Sequence, residues 1–142
     1  MNPTVLTIDD DTAITDLLSV LLKASGFEVL VANGGNDGLQ MIMEHSPRII
    51  LLDLMMPDMD GWQVCKAARA VTTAPIMILS ALDEPSIVAS VLDLGADDFL
   101  VKPVPSAVLV AHLNKLARRT GTFRHFPHDR SRWSPSTNTY LP

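Results

Sequence analysis

Four short apolar runs in this chain each give way to polar or charged residues at their carboxyl ends. Val5-Leu6-Thr7-Ile8 leads into Asp9, Asp10 and Asp11, and Ile49-Ile50-Leu51-Leu52 into Asp53. Ile76-Met77-Ile78-Leu79 leads into Ser80, and Phe99-Leu100-Val101 into Lys102-Pro103. Nearly continuous apolar runs of this length, separated by longer amphipathic stretches, predict parallel strands covered on both faces. Ligands of such sheets sit beyond the carboxyl ends of the strands, so all four endings fall on one edge.

The intervening stretches predict helices. Ala13 to Ser25 carries Ile14, Leu17, Leu18, Leu21 and Leu22 at i, i+3, i+4, i+7, i+8 spacing, with Asp11 or Thr12 as N-cap and Gly26 as stop. Glu28 to Ala32 reads as a further strand. Asn36 to His45, with Leu39, Ile42 and Met43 inward, reads as the next helix. Trp62 to Ala70, Ser86 to Leu94 and Val104 to Arg119 follow, the last with Val108, Leu109, Leu113 and Leu116 on one face. Asn33-Gly34-Gly35-Asn36-Asp37-Gly38 lacks the G-x-G-x-x-G spacing of a dinucleotide site and is taken as a connecting loop. Five strand–helix repeats predict an α/β fold. Right-handed crossovers favour a five-stranded parallel sheet in the order 2-1-3-4-5 with helices on both faces, the flavodoxin-like arrangement.

Composition narrows the class. A chain of 142 residues, 47% apolar with few aromatics, suits one aliphatic core. No run approaches the ~18–20 apolar residues of a membrane span, and the start lacks signal-peptide features. One cysteine, Cys65, allows no internal disulfide, and a cytoplasmic setting is expected. Up to Ala117, fifteen Asp/Glu face six Lys/Arg; from Arg118 onward, five Arg face one Asp. The acidic body is therefore not expected to bind nucleic acid directly. Residues 1–119 form the predicted domain. Residues 120–142, with three prolines and no periodic stripe, read as a basic disordered tail or the start of a linker. Within that tail His125-x-x-His128 lacks further metal ligands, and Trp133 with Arg124, Arg130 and Arg132 is open to an acidic partner or nucleic acid.

The chemistry of the shared edge follows from charge. Asp53 is the candidate nucleophile, able to form an acyl phosphate by attack on phosphorus. Asp9 and Asp10 end a neighbouring strand, and three clustered carboxylates would repel one another and raise at least one pKa. A hard divalent cation removes that repulsion, and Mg²⁺ suits a few carboxylates plus water and phosphate. Lys102 can place a positive charge on a phosphoryl oxygen, its backbone restricted by Pro103. Ser80 can donate a hydrogen bond to the same group.

Asp53-Leu54-Met55-Met56-Pro57-Asp58-Met59-Asp60-Gly61 resembles the D-x-x-M-P-x-x-D-G signature of response-regulator receiver domains. Asp9-Asp10, Ser80-Ala81, Gly95-Ala96-Asp97-Asp98-Phe99 and Lys102-Pro103 match the family's other landmarks in order, over residues 4 to 119. The resemblance implies that Asp53 takes phosphate from a sensor histidine kinase or phosphotransfer protein, with Mg²⁺ required. It implies that Asp10 and Asp53 bind the metal directly, Met55 through its backbone carbonyl and Asp9 through water. Ser80 and Lys102 would hold the phosphoryl oxygens, and the Lys102–Pro103 peptide would be cis. Phe99 would be the switch aromatic, where the family often has Tyr. Met55 and Leu82 would tune the lifetime of the phosphorylated state.

The expected output surface is the face of the fourth helix, fifth strand and fifth helix. It would bind an unidentified partner, or a second copy of the chain on phosphorylation. The expected protein is a signalling module that catalyses only its own phosphorylation and dephosphorylation. The alternative is the N-terminal receiver of a larger regulator with a DNA-binding or enzymatic output domain. A phosphohydrolase with an Asp nucleophile would need a second Asp where Met55 stands. A flavin site would place phosphate against an acidic edge.

Overall fold

Why the central strands form is visible in their burial. In the computed structural model, β1 (Thr4–Ile8), β3 (Ile49–Leu52) and β4 (Ile76–Ser80) are buried almost throughout. Edge strands β2 (Glu28–Ala32) and β5 (Asp98–Val101) are only partly covered. The sheet is parallel in the predicted order β2-β1-β3-β4-β5. The structure describes residues 2–124 and the backbone of 133–134 and 139–140.

Period-two alternation splits the core into two layers. Leu6, Ile8, Ile50, Leu52, Ile76 and Ile78 face the layer that holds Ile42, Val64, Cys65, Ala68 and Val91. These belong to α2 (Gly35–His45), α3 (Gly61–Arg69) and α4 (Pro85–Asp93). Val5, Ile49, Leu51, Met77 and Leu79 face the other way, onto Leu18, Leu22, Leu109, Leu113 and Leu116. Those come from α1 (Thr12–Ala24) and α5 (Ser106–Arg124). Each such side chain contributes ~1.5–3 kcal/mol by leaving water, which anchors the strands whose ends carry the polar residues.

Several expected details differ. Leu17, Met43 and Val108 are exposed rather than inward. The helices present more apolar residues than one buried stripe accommodates, and Thr15, Met41 and Val110 take covered positions instead. The segment taken as a glycine-rich loop is a loop only through Gly34; α2 begins at Gly35. α5 runs to Arg124, five residues beyond its expected end. An antiparallel pair, β6 (Trp133–Ser134) with β7 (Thr139–Tyr140), lies in the stretch expected to hold no elements. His125, His128, Arg130 and Arg132 lie outside the described residues. Among the described residues, no helix is long and apolar enough to cross a membrane.

Candidate functional site

The sheet delivers the predicted residues to one edge by register alone. Ile8 pairs with Leu52, so Asp9 and Asp53 leave adjacent strands at the same height. Ser80 pairs with Val101, which places Lys102 one residue beyond it. One carboxylate oxygen from each of Asp9, Asp10 and Asp53 lies within 4.8 Å of the other two. The Lys102 ammonium sits 3.1 Å from Asp9 Oδ2 and 4.0 Å from Asp53 Oδ1. Its peptide bond to Pro103 is cis.

Local chemistry fixes each carboxylate. Asp11 caps α1, accepting the amides of Ala13 and Ile14 at 3.0 and 3.4 Å, as its sequence position predicts. The Asp11 amide in turn donates to Asp9 Oδ1 at 3.0 Å and orients that buried carboxylate. Asp10 is exposed, with one carboxylate oxygen in the cluster. Asp53 is 9% exposed. Of the other acids in its signature, Asp60 accepts the Gln63 amide at 2.9 Å while the Gln63 side chain accepts the Asp60 amide, a reciprocal cap on α3. Asp58 spans to α2, accepting the Gly35 and Asn36 amides at 3.1 Å each. Both are thereby committed to helix ends, and only Asp53 of the three faces the cluster.

Gly61 explains why the signature ends in glycine. A Cβ there would sit 2.6 Å from the Asp53 carbonyl oxygen and from Leu54 Cα. That is backbone, which cannot swing aside. α3 therefore starts directly against the strand end that carries Asp53, and the Gly61 amide closes the turn by donating to the Leu54 carbonyl at 2.9 Å.

Burial is the main reason the Asp53 carboxyl lies above its ordinary value near 3.8. The Lys102 charge opposes this rise, the Asp9 charge adds to it, and the amides of Met55 and Leu54 lower it. An acid whose pKa is raised by folding favours its protonated form in the native state. Its ionisation therefore weakens the fold as pH rises through the folded value, and the penalty vanishes below the unfolded one. Asp53→Asn should accordingly raise Tm at pH 7, in chelator, by roughly 2–5 °C. The gain should shrink as pH falls toward 3.8. Thermal denaturation followed by circular dichroism across pH 3–7 checks both sign and window; an unchanged or lowered Tm at pH 7 would contradict the electrostatic account.

Ser80 is fully buried, and its Oγ accepts the Leu82 amide at 3.3 Å, which leaves its proton for another acceptor. Phe99 is half-buried against the α2–α4 layer. Leu82 is half-buried, while Met55 is 59% exposed. Sequence reasoning passed over Asn33, whose side-chain amide donates to the Asp9 carbonyl and to Thr15 Oγ1, each at 3.0 Å. It also passed over His112 of α5, whose Nδ1 lies 2.6 Å from Asp98 Oδ2. No local spacing signals either contact.

The donor set suits a small hard cation. Three carboxylates gather one oxygen each within 4.8 Å, the hard oxygen donors such a cation takes, and the Lys102 ammonium marks where positive charge is stabilised.

Comparison with known proteins agrees with this geometry. Residues 5–114 match the response regulator receiver domain family. The chain is 40% identical over 117 residues to the transcriptional regulatory protein AfsQ1 of Streptomyces coelicolor, a match covering 82% of this chain and 52% of that protein. It thus spans about half the length of that relative. The receiver domain of Francisella response regulator 1452 superposes with a TM-score of 0.80 at 35% identity, covering 84% of this chain and 99% of that one. The BeF3-activated N-terminal receiver domain of Klebsiella pneumoniae RstA gives 0.78 at 30% identity, covering 81% and 98%. The register-matched strand ends, the acidic cluster and these matches agree: the chain belongs to the response regulator receiver domain family of two-component systems.

Proposed function

We propose that Asp53 is the phosphoacceptor of a two-component switch, charged by the phosphohistidine of a sensor histidine kinase or phosphotransfer protein. The observation that carries this reading is the meeting of Asp9, Asp10, Asp53 and Lys102 at one sheet edge, every other nearby acid of the signature being bound to a helix end. An Asp53 oxygen attacks phosphorus, the P–N bond to imidazole breaks, and the electron pair leaves with a ring nitrogen that then takes a proton. Asp10 and Asp53 would hold Mg²⁺ directly, Met55 through its backbone carbonyl and Asp9 through water. The ion would supply charge stabilisation to the phosphoryl oxygens. The Lys102 ammonium moves from neutralising Asp9 to pairing with a phosphoryl oxygen, and the Ser80 proton is donated to another. The direct test is phosphoryl uptake at Asp53.

Phosphorylation adds about −1.5 to −2 charges and three strong acceptors. The Ser80 proton gains a phosphoryl acceptor only in that state, which draws the turn after β4 inward and lets half-buried Phe99 repack. A bias of ~1–3 kcal/mol of this kind suffices to switch the α4-β5-α5 face. Leu92, Val101 and Val108 leave apolar surface exposed on these elements, which suits a protein target or a second copy of the chain. The chain acts on itself rather than on a turned-over substrate, and a kinase partner of this type places it in the cytoplasm.

Lifetime follows from what borders the acyl phosphate. Met55 and Leu82 are both apolar and cannot orient an attacking water. Self-dephosphorylation should therefore be slow, and Met55→Asn or Leu82→Glu should speed it about tenfold. Decay of the phosphorylated protein after removal of donor measures this, and mutants that decay no faster would remove both residues from that role.

A second reading is favoured by the AfsQ1 match, since that relative is a transcriptional regulator about twice as long as the matched stretch. In that reading the same receiver controls a covalently attached output domain instead of acting alone.

A further inference from the structure

The acid cluster is carried by the ends of β1 and β3, joined where the Asp53 amide donates to the Ile8 carbonyl at 3.0 Å, and by the loops that follow them. The first, after β1, holds Asp9 and Asp10; the second, after β3, follows Asp53 and includes Met55. The connection from β2 to α2 hydrogen-bonds to both loops. The Ala32 carbonyl accepts the Asp9 amide at 3.1 Å, and the Asn33 side chain donates back to the Asp9 carbonyl at 3.0 Å. The second proton of that amide goes to Thr15 Oγ1 at 3.0 Å, and Thr15 itself is buried and donates to the Thr12 carbonyl. Asp9 is thus held from both sides of its backbone, with the first turn of α1 drawn into the same network.

Two residues further on, the chain grips the other loop. The Gly35 and Asn36 amides and the Asn36 side chain all donate to the Asp58 carboxylate, at 3.1, 3.1 and 3.3 Å. These donors hold the Asp58 carboxyl below its ordinary value. The approach is close: a Cβ on Gly35 would lie 2.7 Å from the Met59 carbonyl oxygen. No side chain of α2 caps its own start, so Asp58 supplies that service from the neighbouring loop.

We propose that Asn33–Asn36 is a brace that sets the spacing between Asp9 and Asp10 on one side and the loop following Asp53 on the other. Asn33 is a positioning residue for the metal-binding geometry. The inference rests on the reading that these carboxylates take Mg²⁺, and it adds that their affinity is set from a loop that contributes no ligand. Partners one layer outside a metal site commonly change affinity by 10- to 100-fold when removed, because the ligands lose their fixed separation.

The test uses the full chain with Asn33→Ala, Thr15→Val, Asp58→Ala and the Asn33→Ala/Asp58→Ala pair. Calorimetric titration with MgCl₂ reads affinity, and amide hydrogen exchange in chelator reads the metal-free loop. Asn33→Ala should weaken Mg²⁺ about tenfold. Thr15→Val should act in the same direction but less strongly. The pair should cost less than the product of the single effects, as members of one network do. The Asp11 amide should exchange at least tenfold faster in Asn33→Ala, with the core amides of β1 unchanged. Mg²⁺ binding and Asp11 exchange equal to wild type would overturn the brace. So would loop and core amides accelerating in parallel, which would mark Asn33 as a general stabiliser. If wild type itself binds no Mg²⁺, the metal reading fails separately, and the exchange data alone decide whether the brace exists.

Discussion

Lys102→Met should slow phosphorylation of Asp53 by a hundredfold or more while tightening Mg²⁺ about fivefold. The two signs follow from one geometry. In the metal-free protein the ammonium lies 3.1 Å from Asp9 and 4.0 Å from Asp53, acting as a built-in counterion for the cluster. A bound cation competes with it. A unit charge pair at about 4 Å interacts by ~4 kcal/mol at an effective dielectric near 20, most of which solvent and side-chain relaxation offset, so a change of several-fold is the expected remainder. During phosphoryl transfer the same ammonium meets charge that develops on the leaving and transferring groups. Removing one such preorganised donor typically costs 10²–10³ in rate. Methionine keeps an unbranched apolar stem at this position, so the fold should persist. Calorimetry with MgCl₂ and a phosphorylation time course with a small acyl phosphate donor check the pair of effects. A variant that phosphorylates at the wild-type rate would confine Lys102 to the counterion role.

How much of this was legible in the sequence depended on whether a residue's role is set by its own element. Asp53, Ser80 and Lys102 stand where apolar strands stop, and parallel pairing converts that position into a shared edge with no further information. Asp11 at the head of an amphipathic run announces itself as a cap in the same way. Asp58 does not: in the sequence it is a variable position within a signature, and its function is to close a helix that begins 23 residues earlier. Asn33 reads as a turn residue beside two glycines, and only the approach of β2 to β1 brings its amide to the Asp9 carbonyl. His112 and Asp98 meet because α5 folds back over β5. The misplaced inward positions have a different cause. α1 has apolar residues at Ile14, Leu17, Leu18, Val20, Leu21 and Leu22, more than one buried stripe, so spacing alone cannot tell which edge of the stripe faces water. The sheet below takes Leu18 and Leu22 and leaves Leu17 and Val20 outside.

On the proposed reading the cluster is costly to the resting fold and needed for phosphoryl uptake, and both follow from the same contacts. Asp53 is buried beside Asp9, and its ionised form is held at the expense of stability. A tighter fold at this position would, on that reading, remove the proposed nucleophile, which is the common tension between a functional site and the scaffold that holds it.

Loss of the Asp53 carboxylate should abolish phosphoryl uptake altogether, because among the described residues no other buried carboxylate at the edge lies beside Lys102 without already being hydrogen-bonded to its ammonium. Asp9 is bound by the Asp11 amide and Lys102, and Asp10 lies exposed. Intact mass spectrometry of the full chain after incubation with acetyl phosphate, with and without Mg²⁺, for wild type and Asp53→Ala, is the measurement that bears most directly on the account. It predicts a gain of one phosphoryl group, ~80 Da, in wild type with Mg²⁺ only, and none in the variant. Wild type that gains nothing from acetyl phosphate or from a histidine-kinase phosphodonor, or Asp53→Ala that gains the group as readily, would contradict it.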